Sequence, residues 1–93
     1  MKGMGMSWTH EDAIAFEAAR EVITDLMAIH TARIAEEGER PGGSAERIAE
    51  LWAERSRLAA ERAALSVADR ETVERIRREY GAAVRAWRNS QNA

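Results

Sequence analysis

The chain has no cysteine, one proline, one phenylalanine, one tyrosine and a single lysine, Lys2. Each scarcity excludes something. Without cysteine there is no disulfide, no thiol nucleophile and no thiolate metal site. With one proline there is little to interrupt helices. No apolar run reaches the 18 residues or so that cross a bilayer. The opening MKGMGMSW also lacks the apolar segment of a secretory signal, so the expectation is a soluble, cytoplasmic protein without membrane contact. His10 and His30 belong to no H-E-x-x-H pair, and no ligand cluster completes a metal site. The only clustered glycines, Gly42 and Gly43 in RPGGS, lack the flanking strand and lysine of a phosphate loop. With no nucleophile–base pair either, the reading is a protein without catalysis, metal or organic cofactor.

What is present is alanine, glutamate and arginine. At 93 residues the chain is one domain (1–93), with residues 1–8 as a flexible tail. Of its 42 apolar residues 19 are alanines, and setting aside Met1, Met4 and Met6 leaves 20 large apolar side chains. Each stabilises by about 1.5–3 kcal/mol when fully buried. Backbone ordering costs about 1–2 kcal/mol per residue. So small a core invites support from outside, and a homodimer is the expected form.

Apolar spacing reads as helix throughout, giving an all-α, antiparallel three-helix bundle with helices near 10–37, 44–65 and 69–88. In the first, Thr9 and Asp12 have capping-box spacing, and Phe16, Ala19, Val22, Ile23, Leu26, Met27, Ile29, His30 and Ile34 recur at three and four. Gly38 is the expected left-handed cap, ahead of the breaker Pro41-Gly42-Gly43. Ser44 caps the second helix, whose stripe is Ile48, Leu51, Trp52, Leu58 and Leu65. The third carries Val73, Ile76, Tyr80, Ala83, Val84 and Trp87.

The boundary near residue 66 has two readings. A continuous helix over 44–88 would keep its apolar face in register and form a dimerising hairpin with the first helix. Ser66, Val67, Asp69 and Thr72 are poor helix-interior residues, however, and Ser66 or Asp69 could cap a new helix. The break is the preferred reading.

The stretch LWAERSRLAAERAALSVADRETVERI resembles the helical chorismate mutase pattern, an L-x-x-E-R-x-x-L-A helix followed by a loop and a D-x-x-R-E element. The resemblance implies Arg55 and Arg70 as guanidiniums for a dicarboxylate substrate, with Glu71 as polar partner. The chain departs from it at Ser66, where the family has lysine, at Gly38, where it has arginine, in a shorter loop, and in Asp69-Arg70-Glu71, which does not keep the spacing of the D-x-x-R-E element.

Two charged stripes complete the inventory. Glu17, Glu21 and Asp25 lie beside the apolar face of the first helix. Arg70, Arg77, Arg78, Arg85 and Arg88 occupy one side of the third, flanking Trp87. Arginine and tryptophan are frequent interface anchors, so this side is read as the docking surface for another protein with an acidic surface. Nucleic-acid binding by the same arginines is the alternative. Trp52, Tyr80, Gly81 and His30 are read as core or dimer contacts: Trp52 and Trp87 on apolar faces, His30 as a satisfied core histidine, and Gly81 as a point of close helix approach. Trp8 is placed to staple the bundle end. The expected function is a small helical adaptor, regulator or inhibitor, similar in type though not in motif to small proteins of phages and other mobile elements.

Overall fold

The structure, a computed structural model, describes residues 8–92; the tail assigned to 1–8 therefore lies outside the described residues except for Trp8. Three helices follow in order: α1 (His10–Glu39), α2 (Ala45–Ala64) and α3 (Arg70–Gln91). There is no strand among the described residues, and the all-α three-helix architecture is as the apolar spacing predicts.

Each helix begins at a side-chain cap that supplies an acceptor to orphan backbone N–H groups. Thr9 and Asp12 form a reciprocal capping box: Asp12 N–H donates to the Thr9 hydroxyl at 3.1 Å, and Thr9 N–H to the Asp12 carboxylate at 2.9 Å. The Ser44 hydroxyl accepts from Arg47 N–H at 3.1 Å, and the Asp69 carboxylate from Thr72 N–H at 3.2 Å. The single long helix over 44–88 is excluded, because Leu65 leaves α2 at ψ 134° and the chain turns before Asp69. Ser66 serves that turn, accepting from Ala68 N–H at 3.2 Å, while the cap falls to Asp69.

The first turn differs from expectation in one respect. α1 runs through Gly38 to Glu39, and the residue with positive φ is Gly42, at 78°. Gly43 is needed as well, because a Cβ there would collide with the Glu37 carbonyl oxygen and lie 3.1 Å from that of Arg40. Glu37 closes the turn, accepting from the Arg40 guanidinium at 2.9 Å and from Ser44 N–H at 2.8 Å.

α1 is the central element. It packs against both α2 and α3, whereas the backbones of α2 and α3 do not approach each other. A closed triangular bundle would be nearly as deep as it is wide; this one is 27 Å across and 14 Å deep in Cα positions. Cross-helix pairs fix the directions. Thr24 and Thr31 of α1 meet Arg62 and Arg55 of α2, so α2 runs antiparallel to α1. Asp12 and Asp25 meet Arg70 and Arg88, so α3 runs parallel to it. The main core joins Ala19, Ile23 and Met27 to Leu58, Val73 and Ile76. Ile23, Leu51 and Ile76 are the largest fully buried side chains.

Candidate functional site

Three charged or aromatic regions decorate this frame. The first is the groove between α2 and α3. Leu26 and His30 of α1 line it together with Leu58, Glu61 and Tyr80. His30 is buried, with Nδ1 2.9 Å from the Leu26 carbonyl oxygen and Nε2 2.9 Å from a Glu54 carboxylate oxygen. Both ring nitrogens are thus engaged, which fits the reading of a satisfied core histidine and leaves neither free for a ligand. Deeper along the groove Glu61 accepts from the Tyr80 hydroxyl and from Arg75 at 2.8 Å. Burial, then the Glu61 carboxylate, pushes the Tyr80 phenol above its ordinary value. Hydrogen bonding to Glu61 raises Arg75 further.

The second region is the arginine side of α3, which folding largely pairs off internally. Arg70 bonds Asp12 at 2.7 Å, Arg77 bonds Glu74 at 2.9 Å, Arg88 meets Asp25 at 3.5 Å and Arg78 meets Glu79 at 3.8 Å. Only Arg85 of the five has no carboxylate within 4 Å among the described residues. Trp87 is half-buried and faces away from most of them. It lies under Arg33 of α1, whose guanidinium carbon is 5.0 Å from the ring centre. Arg40 and Arg47 line the same notch at the C-terminal end of α1 together with Glu36 and Glu37, with Leu51 at its base. Sequence reasoning missed these three arginines because they come from α1, the turn and α2, and only the tertiary fold gathers them.

The third region is the outer face of α1 and α2. Arg55 Nε donates to the Thr31 hydroxyl and Arg62 to that of Thr24, both at 2.9 Å. Each hydroxyl in turn donates to a carbonyl of its own helix, Met27 or Arg20. Trp52 is 49% exposed here, with Arg55 5.8 Å above its ring. This corrects the core assignment of Trp52: its neighbour Leu51 takes the buried position, and one residue further turns the side chain by about 100°. The reading of Gly81 is corrected as well. Gly81 is buried, but a Cβ there would meet only the Arg85 guanidinium at 3.3 Å, so no neighbouring helix backbone requires glycine. Trp8 is 37% exposed.

The two guanidiniums implied by the chorismate mutase resemblance do not converge. Arg55 bonds Thr31 and Arg70 bonds Asp12, positions about 28 Å apart along α1 at 1.5 Å per residue. No group of three or more histidines and carboxylates able to hold a metal occurs among the described residues. No helix among them is long and apolar enough to cross a membrane. Comparison with protein-family models, curated proteins and solved structures gives no match.

Proposed function

We propose that this chain is a non-enzymatic, cytoplasmic protein-interaction module, an adaptor, regulator or inhibitor that acts by occupying the surface of an acidic partner and that associates with itself. The observation that carries the acidic-partner contact is the stacking of Arg33 on Trp87 at 5.0 Å, in a notch that Arg40 and Arg47 also line. A tryptophan under a planar guanidinium combines apolar area with bidentate carboxylate recognition, while the neighbouring Arg40 and Arg47 are paired with Glu37 and Glu50. Arg33 has no carboxylate of its own within 4 Å among the described residues. Its donors are therefore open to a carboxylate from outside. Arg85 and Arg88 border Trp87 in sequence and extend the same end of α3. Self-association is supported by the small, open core.

The test is affinity capture from the native host with the wild-type chain, Trp87→Ala and Arg33→Ala. The expected outcome is a co-purifying protein lost with either variant. Recovery of nucleic acid alone, in a salt-sensitive manner and dependent on Arg77 and Arg85, would overturn the reading in favour of the nucleic-acid alternative.

A further inference from the structure

We propose that the outer face of α1 and α2 is self-complementary, and that a second copy docks on it antiparallel, setting Ile14 of each chain against Trp52 of the other and Glu17 against Arg55. The proposal rests on the self-association put forward above and adds the surface and register through which it occurs. Ile14 and Trp52 are the most exposed large apolar side chains among the described residues, at 57% and 49%. Ile14 stands nine residues before the fully buried Ile23, half a turn out of phase with it, and so points directly away from the core. Trp52 lies on the side of α2 from which Arg55 and Arg62 reach over α1.

The register follows from the two threonine–arginine bonds. Thr24 is beside Arg62 and Thr31 beside Arg55. Each step back along α2 is thus a step forward along α1, which places Trp52 beside Ile34. Ile14 and Ile34 stand equally far on either side of Thr24. A two-fold axis near the level of Thr24, between α1 and α2, carries Ile14 of one copy onto Trp52 of the other. The same operation carries Glu17 onto Arg55. Each contact then occurs twice, as an isologous interface requires.

The charges agree with the operation at the two ends of the face. At its centre, by contrast, the axis brings the Arg62 side chains of the two copies, each bound to Thr24, near one another. Arg55 spends Nε on Thr31 and has no carboxylate within 4 Å among the described residues, so both terminal amino groups of its guanidinium remain available. Glu17 is 71% exposed, with only a loose 3.8 Å contact to Arg20. Thus the α1 end of the face is acidic and apolar, and the α2 end is basic and aromatic. That arrangement suits a second copy of this chain better than a uniformly acidic partner, which Glu17 would repel.

The absence of native cysteine makes the test specific. In the double variant Ile14→Cys/Trp52→Cys the two thiols of one chain are about 30 Å apart, far beyond disulfide reach. Mild oxidation is expected to give a covalent dimer that each single variant fails to give, since the axis also holds the two copies of either position far apart. Sedimentation equilibrium supplies the second arm. Glu17→Arg and Arg55→Glu are each expected to weaken the dimer by about tenfold, and their combination to restore it. Both positions are on the surface, and circular dichroism checks that the variants fold. A monomer at high micromolar concentration would overturn this interface and self-association together. A dimer that the double variant does not cross-link, or that the single variants cross-link equally well, would overturn the interface alone. None of these outcomes touches the acidic-partner notch at Trp87.

Discussion

Gly43, in the breaker between α1 and α2, and Gly81, inside α3, are opposites in what a methyl group would meet. A methyl group at Gly43 would strike the Glu37 carbonyl, which is fixed in the last turn of α1. Gly43→Ala is therefore expected to lower the thermal midpoint, by several degrees if it costs about 1–2 kcal/mol. At Gly81 the same change meets only the tip of a long, mobile side chain. There alanine recovers the helix propensity that glycine lacks, so Gly81→Ala is expected to stabilise by up to about 1 kcal/mol. Parallel thermal melts of the two variants check both signs, and a destabilised Gly81→Ala would mean that α3 needs its glycine for a contact absent here. The sequence carried neither distinction. A helix interior tolerates glycine without marking why it is there, and the close approach at Gly43 exists only once the 40–44 turn has formed. Trp52 was hard to place for a related reason. Leu51 and Trp52 are adjacent and cannot both face α1, and the hydrophobic pattern does not say which one yields.

At the scale of the helix, the ends were the most legible feature, because capping is a local transaction between residues three apart. Thr9 with Asp12, and Ser44, act as their spacing implies, and Asp69 decided the one boundary that periodicity left open. Asp12 does more than cap. Arg70 lies 2.7 Å away, at the start of α3, so one carboxylate ties the N-terminus of α1 to that of α3. The hydrogen bond from Arg70, followed by that from Thr9, lowers the Asp12 carboxyl below its usual 3.8. The sign of the pH dependence follows. A carboxylate with a depressed folded-state value contributes stability that is fully present above the unfolded value and lost as pH falls through the folded one. Unfolding by urea at neutral pH and in strong acid is expected to show this loss, and Asp12→Asn to remove its share at neutral pH while flattening the acid dependence. An unchanged acid slope in Asp12→Asn would assign the linkage to other carboxylates, with Asp69, lowered by its bonds to Thr72, as the first to examine.

For the molecule as a whole, composition announced the class of fold but not its openness. Alanine at 19 positions and the few large apolar side chains limit how much surface three helices can bury. The outcome is a central α1 shared by two helices whose backbones do not meet. The charged side chains bridge what the core leaves open, as where Arg75 and Tyr80 of α3 reach Glu61 of α2. Long arginine side chains choose partners by tertiary proximity, so the sequence could list the arginines of α3 without showing that Asp12, Glu74 and Asp25 already take three of them. Because α1 is the one helix whose backbone packs against both of the others, the three helices should unfold as one unit. Ile23 is fully buried at the centre of that core, and its truncation to alanine is expected to cost about 2–5 kcal/mol. Trp52 on α2 and Trp87 on α3 supply separate reporters, each isolated by replacing the other tryptophans with phenylalanine. In the Ile23→Ala background both are expected to shift to lower denaturant by the same amount and to coincide with the loss of helical circular dichroism. Separate midpoints for α2 and α3 would show that α1 does not couple them, and that the open bundle is two helix pairs sharing a strut.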